Sequence, residues 1–100
     1  MSCATIEKTD RGFSINGEMS FATVHRLLEV SQLLNFNSEP ILEIDLGRVS
    51  RADSAGLTLV VEWMARAKRG NTDIRFRNIP KQMREIASMT EVDKILSLCE

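Results

Sequence analysis

The chain has 100 residues, 43% of them hydrophobic and 27% charged, with a formal net charge of −1. That length suits one domain with one modest core, and the composition is that of an ordinary globular protein without repeats or low-complexity segments. Cys3 and Cys99 form neither a C-x-x-C pair nor a zinc-like cluster with His25, the one histidine, so no disulfide framework or metal finger is expected and a reduced cytosolic setting is.

No targeting or spanning segment is expected either. The opening MSCATIEKTD lacks the basic and apolar stretches of a signal peptide. The longest apolar run, 57–64, is short and interrupted by Thr58 and Glu62, far from the roughly 20 residues that cross a bilayer. A role at a membrane would therefore run through a partner.

Charge is unevenly distributed. Residues 1–50 carry four Lys/Arg against seven Asp/Glu, whereas Arg66, Lys68, Arg69, Arg75, Arg77, Lys81 and Arg84 face a single acid, Asp73, over 66–84. Such a stretch is either a surface for an anionic partner or the solvated edges of strands and helices. Phe76, its one aromatic, alternates inward, which leaves no stacking platform and no expectation of nucleic-acid binding.

In chain order, 4–8 and 11–17 read as two short strands joined at Asp10-Arg11-Gly12. Ser20 opens a predicted helix to about Leu34, with Phe21, Val24, Leu27, Leu28 and Leu34 on its apolar stripe and His25 opposite. Residues 35–40 read as a loop, ILEIDL (41–46) as an alternating strand, and 47–53 as another loop. A helix from Ser54 to about Arg69 follows, stopped by Gly70-Asn71. DIRFRNI is a strand with Ile74 and Phe76 inward. Pro80 opens a helix burying Met83, Ile86 and Ala87, and a last helix is expected from Thr90, capped with Asp93 and burying Val92, Ile95 and Leu96.

The order β-β-α-β-α-β-α-α predicts an α/β fold. Its single mixed sheet would have four to five strands, the later ones parallel, with about four helices mainly on one face.

The chemistry concentrates at Asp53-Ser54, between a strand and a helix. Either residue suits a helix N-cap. Ser54 as a hydrolase nucleophile is excluded: Ala52 stands where the first glycine of G-x-S-x-G belongs, and His25 points away on another helix. No G-x-x-x-x-G-K-[ST] loop is present, so the chain is not itself a P-loop ATPase. A phosphate on Ser54 would meet a helix N-terminus, which favours anions, although Asp53 would repel it.

At 100° per residue, Leu57, Val60, Val61 and Met64 form the expected core face. Leu59 and Trp63 then lie on the flank beside Arg66, a hot-spot composition if exposed or additional core if Trp63 folds over the sheet edge.

LEIDLGRVSRADSAGLTLVVEWMARAK, DIRFRNIPKQMREIASMTEVDKIL and FSINGEMSFATVHRLL together resemble the STAS domain family, which includes sulfate-transporter C-terminal domains and bacterial anti-sigma factor antagonists. Its most specific mark is D-S-x-G-L, here Asp53-Ser54-Ala55-Gly56-Leu57. The resemblance implies the STAS fold over nearly the whole chain. In the anti-sigma factor antagonists the serine matching Ser54 is phosphorylated by a partner kinase.

The run DLGRVSRADSAGL, with RFRNIPKQM and VDKIL, looks more like the stand-alone STAS subunit of the Mla phospholipid ABC transporter, which maintains outer-membrane lipid asymmetry in Gram-negative bacteria. That resemblance implies a non-enzymatic cytoplasmic subunit, without cofactor or metal, bound to the transporter's ATPase subunit and through it to a membrane permease. It implies contact with the ATPase at Ser54. The candidate partner-binding residues are Asp53, Ser54, Leu59, Trp63 and Arg66. The alternative is an anti-sigma factor antagonist regulated by phosphorylation of Ser54.

Overall fold

A computed structural model describes residues 3–36 and 40–89. In chain order it contains β1 (Ala4–Lys8), β2 (Gly12–Met19), α1 (Val24–Gln32), β3 (Ile41–Ala52), α2 (Ser54–Arg69), β4 (Asp73–Arg77) and α3 (Lys81–Ala87). The helix expected from Thr90 lies outside the described residues.

The four strands form one sheet in the order β1-β2-β3-β4. β1 and β2 pair antiparallel across the turn at Asp10-Arg11, while β2, β3 and β4 run parallel. The sheet is therefore mixed, as the alternation of helices and strands predicts. Phe13, Ile15, Leu42, Ile44, Leu46, Ile74 and Phe76 are buried together with residues of all three helices in one core. The opposite side of β3 and β4 presents Glu43, Asp45, Asp73, Arg75 and Arg77. Period-two patterning thus sends the helices to one face and leaves the other polar.

β3 is longer than expected. The residues 47–52, read as a loop, continue the strand alongside the end of β2, with Asn16 opposite Arg48 and Met19 opposite Ala52. β3 gains one residue on β2 at each of two register shifts, between Ser14 and Asn16 and between Gly17 and Glu18. Such bulges break the two-residue alternation that marks a strand in sequence. Their effect is to deliver Asp53 directly from the sheet into α2.

α1 is shorter than expected, beginning at Val24 instead of Ser20. Residues 20–23 form a tight turn: Thr23 Oγ1 accepts from Ser20 N–H (3.0 Å) and donates to the Glu18 carbonyl (2.7 Å), and Thr23 and Val24 N–H both donate to the Ser20 carbonyl. Leu27 is buried, and Val24, Leu28 and Leu34 pack at the core's edge. Phe21, placed on the same stripe by periodicity, precedes the helix and is 84% exposed.

α2 spans Ser54–Arg69, the predicted limits. Asn71 carries the left-handed turn after it (φ 60°) that a terminating glycine usually supplies, while Gly70 stays at φ −96°. In α3, Pro80 precedes the first turn with φ −59°, and Met83 and Ala87 are fully buried.

Candidate functional site at the start of the second helix

Asp53 is the N-cap of α2. Its extended backbone directs the carboxylate over the first turn, where Oδ1 accepts from the N–H groups of Ala55 (2.9 Å) and Gly56 (3.3 Å). Oδ2 accepts a third bond, from the Phe21 N–H at 3.0 Å. Asp53 N–H itself donates to the Met19 carbonyl. One residue thereby joins the end of β2, the turn before α1 and the start of α2. Partial burial pushes the Asp53 carboxyl up, but the Phe21, Gly56 and Ala55 N–H groups and the nearby Arg51 outweigh it and hold it below the ordinary carboxylate value.

Gly56 permits this junction. A β-carbon there would lie 2.2 Å from the Met19 carbonyl oxygen and 2.9 Å from the Met19 side chain, an impossible approach. The D-S-x-G-L spacing now has a local account: aspartate caps, glycine admits the end of β2, and leucine enters the core. Ser54 has no part in that packing. It is the first helical residue, and it is exposed. Below it Thr58 is exposed, its hydroxyl donating to the Ser54 carbonyl at 2.9 Å, and Val61 and Ala65 are half-buried on the same line.

Close contact at Gly56 sets how α2 is rolled about its axis. The line Gly56-Val60-Trp63-Ala67 faces the sheet, flanked by Leu57 and Leu59. The observed face is turned by roughly 80° from the expected one of Leu57, Val60, Val61 and Met64, at 100° per residue. This overturns two candidates: Leu59 (2% exposed) and Trp63 (1% exposed) are core residues, not a docking flank. Trp63 lies edge-on to Phe36 (centroids 6.2 Å apart), which stacks on Phe13 at 5.8 Å. Its indole N–H is buried without an acceptor among the described residues.

Arg66 is also corrected. Its guanidinium lies 4.1 Å above the Phe36 ring and donates to the carbonyls of Ser31 and Leu34 at the C-terminal end of α1. A planar, always-charged fork suits that combination of ring face and carbonyls at a helix end. The side chain fastens α1 to α2.

The basic stretch does not form one patch. Arg75 pairs with Asp73 and Arg77 with Glu43 on the open sheet face, Arg69 lies 3.7 Å from Glu62, and Lys81 lies 3.8 Å from Glu85. These are exposed pairs that contribute little each. Phe76 is buried, so the stretch also lacks an aromatic platform.

A cleft of about 390 Å³ involves the β1–β2 turn and the open face, with Arg11, Glu43, Asp45 and Arg77 on its walls. It includes no residue of the D-S-x-G-L element. Its Asp45 is held below the ordinary carboxylate value by a hydrogen bond from Asn78 and another from the Gly47 N–H, with Arg77 and Arg48 adding to them against partial burial. Among the described residues no group of His, Cys, Asp and Glu is arranged to hold a metal, and no helix is long and apolar enough to cross a membrane.

The family described as "Mlab, STAS domain" matches residues 5–98. The chain belongs to the MlaB-type STAS family. No curated protein matches its sequence. Among solved structures, this STAS domain is similar to the anti-sigma factor antagonist SpoIIAA in its unphosphorylated form, at 18% identity and a TM-score of 0.67 over 92% of this chain and 84% of that one. It is also similar to a sulfate transporter family protein from Wolinella succinogenes, at 17% identity and a TM-score of 0.64 over 83% of this chain and 67% of that one. At such identities the likeness concerns the fold. STAS domains are generally non-catalytic regulatory or accessory modules that act through protein contacts.

Phe21 is a candidate that sequence reasoning missed. Its signal was present: Ser20 and Thr23 are competing caps, and placing the cap at Thr23 takes Phe21 off the apolar stripe.

Proposed function

We propose that this STAS domain is a non-enzymatic accessory subunit of an ABC-type phospholipid transporter that maintains outer-membrane lipid asymmetry, docking on the transporter's ATPase subunit through the exposed start of α2. It would act at the cytoplasmic side of the inner membrane, joined to the permease through the ATPase. The observation that carries the reading is the MlaB-type family match, which runs through an exposed Ser54 whose hydroxyl takes no part in the cap. Asp53 keeps its place in the site as the residue that positions Ser54. Leu59, Trp63 and Arg66 are replaced as contact residues by Thr58 and Val61.

ATP hydrolysis would belong to the partner. A docked subunit shifts its partner's conformational equilibrium only by binding one state more tightly than another. A broad face anchored on a rigid helix suits that task better than a flexible loop, because little ordering entropy is lost on docking.

The alternative is an anti-sigma factor antagonist switched by phosphorylation of Ser54. The exposed hydroxyl and the fold shared with SpoIIAA favour it. The Asp53 cap on the Ala55 and Gly56 N–H groups does not separate the two readings, because it belongs to the D-S-x-G-L element that both share.

The test is affinity purification of the tagged protein from mildly solubilised native cells, followed by binding measurements. An ABC ATPase with a permease should co-purify, and Ser54→Asp should weaken ATPase binding at least tenfold. Aspartate at the first helical position is favourable to the helix dipole, so the melting temperature should stay within a few degrees. Recovery of a soluble kinase with phosphate on Ser54, and no ATPase, would establish the alternative.

A further inference from the structure

The sheet has two edges, β1 and β4. Which backbone groups of β1 face outward follows from its pairing with β2. The Glu18 N–H donates to the Cys3 carbonyl and the Thr9 N–H to the Gly12 carbonyl, and Thr5 and Glu7 lie in the same register, opposite Asn16 and Ser14. Hydrogen-bonded pairs alternate along an antiparallel ladder. The odd-numbered residues therefore bond to β2, and Ala4, Ile6 and Lys8 turn their N–H and C=O groups away from the sheet. No described residue outside the strand bonds to them. β1 also carries no proline and pairs with β2 without a bulge, two devices that blunt an exposed edge.

We propose that β1 is a self-association edge: two copies of the chain pair antiparallel through it about a two-fold axis at Ile6, joining two four-stranded sheets into one. Full overlap of Ala4–Lys8 sets Ile6 opposite Ile6 of the second copy, Ala4 opposite Lys8, and Thr5 opposite Glu7. The pairs made by Ala4, Ile6 and Lys8 are then the hydrogen-bonded ones, so every outward N–H and C=O of the strand finds a partner. The side chains agree with that register. Half-buried Ile6 meets its own copy, Lys8 meets a small side chain, and no like charges stand opposite each other. The other edge lacks this fit, because full antiparallel overlap of β4 places Arg75 opposite Arg75. Two five-residue edges make a contact smaller than the roughly 1,200 Å² of a stable complex, so the association is reversible and depends on concentration. It is independent of the docking role given to Ser54.

The experiment is sedimentation velocity of the full chain over a concentration series, with a reductant present because exposed Cys3 adjoins the strand. The weight-average coefficient should rise with concentration towards that of a dimer. Lys8→Pro removes an N–H that faces away from β2, so the ladder to β2 and the melting temperature should hold. Its dimer should weaken about tenfold, since symmetry loses the bond twice. Thr5→Glu sets two carboxylates opposite each other twice and should also weaken the dimer about tenfold, whereas Thr5→Lys should tighten it several-fold. Raised salt should shrink both Thr5 effects.

A chain that stays monomeric at every concentration would overturn the proposal, as would a dimer indifferent to Lys8→Pro and to both Thr5 variants. Thr5→Glu and Thr5→Lys acting alike would overturn the register. A monomeric chain whose capture of the ATPase subunit is lost in Lys8→Pro would hand the edge to a strand of that partner instead, and would overturn the dimer too. Ser54→Asp should leave the dimer unchanged. Unaltered ATPase binding by that variant would count against the proposed function and not against pairing through β1.

Discussion

The Phe21 N–H donates to the Asp53 carboxylate at 3.0 Å across 32 residues of chain, at the junction where the β2–α1 turn meets the start of α2. Asp53 is therefore both a local cap and a long-range tie. The bond holds the backbone of the turn at Phe21 against the start of α2, and both Phe21 and Ser54 are exposed.

Removing the carboxylate should cost more than an ordinary surface change. Asp53→Ala leaves three N–H groups without their acceptor, and a lost N-cap alone costs about 1–2 kcal/mol. Asp53→Asn should cost less, because its amide oxygen still accepts. Urea unfolding gives the difference, and hydrogen exchange of the Phe21 amide should accelerate in Asp53→Ala. A Phe21 amide as protected as before would remove the tie.

The two lowered carboxyls, Asp53 and Asp45, give stability a defined pH dependence. Each binds its proton less readily in the folded chain than in the unfolded one, so the unfolded state takes up more protons as pH falls. Their contribution is complete above the ordinary carboxylate range, about 4, and is lost as pH descends through the lowered native values. The urea midpoint should be nearly flat from pH 7 to pH 5 and fall below pH 4. Replacing both residues by asparagine should flatten the acid limb; an equally steep limb would point to other groups.

Gly56→Ala sets propensity against packing. Alanine is favoured over glycine in a helix interior by about 1 kcal/mol, yet its methyl would lie 2.2 Å from the Met19 carbonyl oxygen. The clash should win, lowering the melting temperature and displacing α2 from the end of β2. A stabilised variant would show that the junction has room to relax.

Trp63→Ala should destabilise the fold by about 3–5 kcal/mol, the usual cost of emptying a buried aromatic site. Trp63→Phe should cost much less, because it keeps most of the contact with Phe36 and removes an indole N–H that lacks an acceptor among the described residues. Once folded, Trp63→Phe should bind the ATPase as tightly as the unsubstituted chain. Tenfold weaker binding at unchanged stability would return Trp63 to the interface.

Much of the fold is written locally. β1 and α2 have the limits that patterning predicts, because alternation, a capping aspartate and a Gly-Asn stop are short-range signals. The Asp53-Ser54 pair is equally legible as a strand-to-helix junction. The misread segments were those whose conformation depends on distant chain. Residues 47–52 become strand because Asn16–Met19 lie beside them, and residues 20–23 leave the helix for a turn tied to Asp53.

Short-range pattern alone carries the α/β order, the inward and outward faces of residues 41–46 and of β4, and the family mark at 53–57. Which side of α2 meets the sheet depends on contacts between distant parts of the chain. A helix of 16 residues with apolar groups around more than half its circumference can roll by tens of degrees without violating its own periodicity. The close approach of Gly56 to Met19 selects one roll. In that roll, which the Trp63–Phe36 contact and the Arg66 tie to α1 also favour, Leu59 and Trp63 are buried and Ser54 and Thr58 are exposed.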